Sequence, residues 1–274
     1  MQIDVNGITL AVDVQGPEDG TPVVLLHGWP DRGSLWANQI PALNAAGFRT
    51  VAPDLRGFGD SHKPATVEEY NILLHAGDVQ GVLDHLGITK AHVVGHDWGA
   101  ALSWAIASFV PDRVDHHVAL SVGHPAAFGR GGLEQRRLSW YMLLFQFEGV
   151  AEEWLSADDW ANLREFGAGH LGIEQVIADL SRPGALTASI NIYRANVPPE
   201  SLISSPMAFP PVTVPTMGVW SSGDAYLTEA PMRESGEHVT APYRYERIDG
   251  ASHWMQLDAA DEVNRLLLDF LPAP

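Results

Sequence analysis

Short apolar runs, each closing on a polar loop, recur in the first 125 residues and again after residue 210. Residues 22–26, 48–53, 91–94 and 118–122 are runs of this kind, and strand patterns return at 216–220 and 243–248. A run with little internal alternation suits a strand covered on both faces, as in a parallel sheet. Asn6-Gly7, set between apolar residues 3–5 and 8–14, predicts a two-residue hairpin. Helical spacing covers 69–86, with Gly87 placed as its C-terminal cap, and returns at 262–271. Strand and helix alternate, which predicts a doubly wound, mostly parallel sheet with its ligands at the carboxyl ends of the strands.

Between Pro125 and Pro210 that rhythm stops. Gly129-Arg130-Gly131-Gly132 reads as a flexible entry, followed by helical patterns at 133–147, 150–154, 157–167 and 173–180. The expected organisation is one α/β core built from residues 1–125 and 211–274, interrupted by a helical cap at 126–210. No internal repeat or low-complexity tract breaks this pattern.

Composition narrows the classes. A 274-residue chain is long enough for one α/β domain with an insertion. A formal net charge of -18 argues against nucleic acid or an anionic membrane as partner. With no cysteine, disulfides, thiolate metal sites and cysteine nucleophiles are excluded. The first residues lack the basic start and apolar stretch of a signal peptide, and no run of about 20 apolar residues occurs. A cytoplasmic protein is expected, its oligomeric state open, a homo-oligomer included.

The chemistry begins at Gly95-His96-Asp97-Trp98-Gly99, which follows the apolar run 91–94. Gly-x-nucleophile-x-Gly between a strand and a helix is the nucleophile elbow of α/β-hydrolases, whose flanking glycines admit a strained turn. Read alone, the pentapeptide also fits a helix merely capped by aspartate. A carboxylate nucleophile narrows the reaction to displacement at carbon, followed by hydrolysis of the resulting ester. Partners stand in the order this fold uses: Asp224 follows the strand at 216–220, and His253 follows the last strand. His253 would take a proton from water while Asp224 orients it. His27-Gly28-Trp29-Pro30 follows an early strand, so the amides of Trp29 and Trp98 are expected to form an oxyanion hole.

These residues resemble the α/β-hydrolase-fold epoxide hydrolases almost end to end. His27-Gly28-Trp29-Pro30 is similar to their His-Gly-x-Pro loop, and the elbow is identical to a common family form. Pro53-Asp54-Leu55-Arg56-Gly57-Phe58-Gly59-Asp60-Ser61 resembles another family signature, and Ser252-His253-Trp254-Met255-Gln256 is similar to Gly-His-Trp-x-Gln with serine for glycine. The resemblance implies an α/β-hydrolase fold, an apolar epoxide and water as substrates, and no metal or organic cofactor. It also implies two cap tyrosines that donate to the epoxide oxygen. The segment from Tyr141 to Glu152 places the first at Tyr141, and Asn191-Ile192-Tyr193-Arg194 places the second at Tyr193. Trp29, Trp98, Tyr141 and Tyr193 would then also contact substrate. Ile192 stands where the family often has tryptophan, and Ala100 where a second glycine is common. Cap residues Trp140, Met142, Phe145, Phe147, Trp154 and Trp160 are expected mainly to pack, one or two of them touching substrate. The elbow is shared with haloalkane dehalogenases, which commonly present asparagine at the position of Trp29. A non-catalytic ligand receptor on the same fold is the remaining alternative.

Overall fold

A computed structural model of the chain describes residues 1–202 and 208–273. Eight strands form one sheet: β1 (Gln2–Val5), β2 (Ile8–Gln15), β3 (Thr21–Leu26), β4 (Phe48–Pro53), β5 (Ala91–His96), β6 (Val114–Leu120), β7 (Thr216–Gly223) and β8 (Tyr243–Ser252). Their order is β1-β2-β4-β3-β5-β6-β7-β8. The hairpin β1–β2 and the β2–β4 pair are antiparallel, and every other pair is parallel. Asn6 and Gly7 both take positive φ at the hairpin, as its turn chemistry requires.

Apolar runs occupy the centre because both sheet faces are covered. Val23 to Leu26, Val93, Val94 and Val118 to Leu120 are all buried. Helices α1 (Gln39–Ala45), α2 (Ile72–His85) and α3 (Trp98–Phe109) fill the first crossovers. The helix expected over 69–86 is divided. Thr66 and Glu69 form a capping pair around a short 3₁₀ turn, and α2 proper starts after Asn71, whose side chain accepts from the Leu73 amide. The strand expected over 118–122 is instead β6, ending at Leu120, because Ser121 turns the chain at φ 70°.

Between β6 and β7 the described chain is helical: α4 (Pro125–Gly129), α5 (Gly132–Leu138), α6 (Trp140–Leu144), α7 (Val150–Phe166), α8 (Ile173–Leu180) and α9 (Ala185–Asn196). The glycine-rich entry forms a junction between α4 and α5. His124 Nδ1 caps α4 by accepting from the Ala126 amide, and Gly132 supplies a positive φ between α4 and α5. A left-handed turn at Asp158–Trp160 kinks α7. The end of the expected cap, 203–207, lies outside the described residues. After β7 come α10 (Glu229–Glu234), α11 (Met255–Asp258) and α12 (Ala260–Phe270). Among the described residues no helix is long and apolar enough to cross a membrane.

The loop resembling the family signature is fastened to α2 by a buried ion pair. Arg56 Nε and Nη2 each lie 2.8 Å from a carboxylate oxygen of Asp78, and both side chains are almost fully covered. Removing one partner of such a pair strands the other charge. Asp78→Ala should therefore lower the unfolding free energy by about 3–5 kcal/mol, measured by urea titration.

Candidate active site

Asp97 closes β5 and caps α3 at φ 53° and ψ -121°, a backbone strain of about 1–3 kcal/mol for a residue with a side chain. The flanking glycines make that turn feasible. A Cβ on Gly95 would stand 2.1 Å from the Gly99 carbonyl oxygen, and one on Gly99 would stand 2.0 Å from the Leu26 carbonyl oxygen. Gly28 faces the carboxylate itself, since a Cβ there would stand 2.3 Å from Asp97 Oδ1. With that space open, the Trp29 amide donates to Asp97 Oδ1 at 2.8 Å. The Trp98 amide lies where it favours the ionised carboxylate.

The other carboxylate oxygen faces the histidine. His253 Nε2 lies 3.5 Å from Asp97 Oδ2, and His253 Nδ1 lies 2.8 Å from Asp224 Oδ2. The second oxygen of Asp224 accepts from the amides of Tyr226 and Leu227 at 2.9 and 3.0 Å, which fixes the carboxylate. The three side chains come from loops after β5, β7 and β8, brought together at one end of the sheet.

Burial and charge oppose each other here. Burial pushes the His253 pKa down, but Asp224 and Asp97 together raise it to about 10. Burial pushes the Asp97 carboxyl up, and the hydrogen bond and charge of His253 more than offset this, leaving it below the ordinary carboxylate value. In this state the pair is carboxylate and imidazolium up to alkaline pH.

The helices between β6 and β7 bring aromatic rings over the carboxylate. Tyr141 and Tyr193 are 3% and 1% exposed, with ring centroids 5.9 Å apart. Tyr193 meets Trp98 edge-on at 5.0 Å, and Phe145 packs on Trp29, Tyr141 and Tyr193. Of the six tyrosines, Tyr70, Tyr226 and Tyr243 donate to backbone carbonyls and Tyr245 donates to Glu229. Tyr141 and Tyr193 donate to neither carbonyl nor carboxylate among the described residues. Burial, followed by the charge of Asp97 and Asp224 at Tyr141 and by Tyr141 and Asp97 at Tyr193, pushes both phenols well above 10, so both keep their protons. Of the other large residues in these helices, Met142, Trp154 and Trp160 pack partly buried against the core, whereas Trp140 and Phe147 are exposed.

The model of the alpha/beta hydrolase fold family matches residues 21–260. Epoxide hydrolase 3 of Xenopus tropicalis is 35% identical, over 97% of this chain and 75% of that protein. The chain belongs to the α/β-hydrolase-fold epoxide hydrolases. Epoxide hydrolase A of Mycobacterium tuberculosis is 31% identical over 98% of this chain and 96% of its own. The crystal structure of epoxide hydrolase A from Mycobacterium thermoresistibile superposes with a TM-score of 0.85 at 30% identity, covering 99% of this chain and 97% of that one.

Two buried groups around this epoxide hydrolase's site escaped the reading of its sequence. His96 stands ring to ring with His253, 4.7 Å between centroids, and its Nε2 lies 2.9 Å from the His253 carbonyl oxygen. That contact holds the backbone from which the imidazole extends. Asp31, just past Trp29-Pro30, is buried with His170 Nε2 2.7 Å from one oxygen, and it accepts from Trp254 Nε1 at 3.0 Å on the other. It ties the loop after β3 to the segment between α7 and α8 and to the residue after His253. The nearby Arg32–Asp54 ion pair at 2.9 Å joins the same loop to the signature loop. A cleft runs beside the site, lined among the described residues by Asp31, Phe58, His170, Val176 and Leu180, and Asp97, His253, Tyr141 and Tyr193 do not line it.

Proposed function

We propose that this chain converts an apolar epoxide and water to a vicinal diol through an ester on Asp97. The observation that carries the proposal is the pair of buried phenols, Tyr141 and Tyr193, which among the described residues donate to no carbonyl or carboxylate and lie within reach of the Asp97 charge at the elbow. In the first step Asp97 Oδ2 attacks an epoxide carbon and the carbon–oxygen bond breaks. Tyr141 and Tyr193 donate hydrogen bonds to the departing oxygen, and one of them gives it a proton. The product is a hydroxyalkyl ester on Asp97.

Esterification removes the charge that helped raise the His253 pKa. The imidazolium then gives up its proton more readily, by way of solvent to the phenolate left by the first step, and becomes a base, with Asp224 still orienting Nδ1. It takes a proton from water, which attacks the ester carbon. The negative oxygen of the tetrahedral intermediate is Oδ1, already held by the Trp29 amide and near that of Trp98. Collapse breaks the bond between the ester carbon and Oδ2, the departing alkoxide takes the proton of the new carboxyl group, and the diol leaves behind the Asp97 carboxylate and a protonated imidazole. The names of the relatives support the same reading, as does Trp29, whose indole N–H donates to Ser189 Oγ at 3.2 Å and is not offered to a halide.

A single turnover in ¹⁸O-water with protein in excess tests the ester. The oxygen added in the first diol comes from Asp97, so that diol should be almost unlabelled and the label should appear in the peptide carrying Asp97. Label in the first diol would mean direct attack by water and would end the role given to Asp97.

A further inference from the structure

At the opposite end of β5 from Asp97, three ligand-type side chains meet where the sheet departs from regular pairing. Ala91 pairs with Val114 and Val93 pairs with His117, so Asp115 and His116 both stand opposite His92. Consecutive residues of a regular strand point to opposite faces, and a bulge re-aims them. Here Asp115 Oδ2 lies 3.6 Å from His92 Nδ1 and 3.3 Å from His116 Nδ1. The donor atoms of all three residues lie within 4.8 Å of one another. His92 is 0% exposed, and among the described residues neither of its ring nitrogens has a hydrogen-bond partner. A buried, unpartnered imidazole aimed at a carboxylate is costly unless something joins them.

We propose that His92, Asp115 and His116 bind a zinc-type divalent cation. The spacing fits. Zinc–nitrogen and zinc–oxygen bonds of about 2.0–2.2 Å place the corners of a tetrahedron about 3.3–3.6 Å apart, which matches the separations of Asp115 Oδ2 from His92 and His116, with the two imidazoles within 4.8 Å of each other. Imidazole and carboxylate ligands suit zinc and its neighbours better than magnesium or calcium. Asp115 is 43% exposed and His116 21%, so the ion has a path from solvent and room for a water as fourth ligand. Lys90 Nζ lies 3.4 Å from the other oxygen of Asp115 and competes with the cation. His92 is five residues from Asp97 along an extended strand, about 16 Å, so the ion serves the framework and not the chemistry. It would clamp the start of β5 to the start of β6.

Titration of chelator-treated protein with zinc chloride, by calorimetry and by thermal unfolding, tests the site. One ion per chain should bind saturably and raise Tm, while magnesium chloride does neither. Asp115→Asn and His116→Ala, both at partly exposed positions, should each weaken zinc affinity at least about tenfold while the metal-free variants stay folded. Lys90→Met should tighten binding by removing the competing charge. Absence of saturable uptake by the unaltered protein overturns the proposal. So does uptake that Asp115→Asn and His116→Ala leave unchanged, because the ion would then sit elsewhere.

Discussion

His253→Ala protein mixed with an epoxide should load one alkyl group on Asp97 and then stall. Attack by a carboxylate requires no base, whereas hydrolysis of the ester requires a proton to be taken from water. Loss of a positioned general base costs about 10²–10⁴-fold, so turnover should fall by that factor while the ester accumulates. Intact-mass measurement should show the mass of one epoxide added to the chain, and digestion should locate it on the peptide containing Asp97. The variant also loses the group that offsets the burial of Asp97. Its carboxyl pKa must rise, so loading in His253→Ala should fail on the acid side at a higher pH than in the unaltered protein. For the unaltered protein the sign is fixed by the direction of change at His253. Its pKa, about 10 beside the Asp97 carboxylate, drops once that charge is esterified, and hydrolysis should therefore be limited by acid at a pH below 10. A folded variant that shows neither adduct nor turnover would mean that His253 has another role.

Replacing both cap tyrosines should nearly abolish loading. A single Tyr141→Phe or Tyr193→Phe removes one donor to an oxygen that gains negative charge as the ring opens, a loss of roughly 10- to 1,000-fold. Each single variant keeps one phenol as acid, and the double variant keeps none. Stopped-flow quenching of tryptophan fluorescence, or quench-flow with mass detection, reads the loading rate directly. Phenylalanine leaves the packing among Phe145, Phe166 and Trp98 nearly intact, since those contacts are made by the rings. Retained reactivity of Asp97 toward a strong alkylating agent separates loss of the acid from loss of the nucleophile. A dehalogenase predicts another pattern, with halide release surviving the double substitution and collapsing in Trp98→Phe. Near-normal diol formation by the double variant would remove the main reason for choosing epoxides.

What the sequence disclosed was chiefly what is local. Asp97, Asp224 and His253 each lie next to the strand that carries them, so an apolar run and a few following residues locate them. The two glycines of the elbow are needed for close approaches within the same segment, and the pattern displays them. Contacts between distant segments left little trace. His170 meets Asp31 across 139 positions, and Trp254 meets it across 223, so nothing near any of the three announces a buried acid. Helix α9 was also missed, although Tyr193 was not. Ser189 and Asn191 lie on its buried face, where Ser189 accepts from Trp29 and Asn191 from Arg194, which blurs the apolar stripe that marks a helix. The glycines at 129–132 suggested freedom, but His124 capping and one positive φ convert them to a helix junction.

The two oxygens of Asp97 are not equivalent: Oδ1 is pinned by the Trp29 amide at 2.8 Å, and Oδ2 looks toward His253. Under the proposed reaction, the diol departs with Oδ2, and the incoming water leaves its own oxygen in that place, on the side of the imidazole. As long as the pin prevents the carboxylate from turning over, the newly arrived oxygen is the next to attack. Each diol then carries off the atom deposited by the cycle before it, and the chain holds a record exactly one reaction deep.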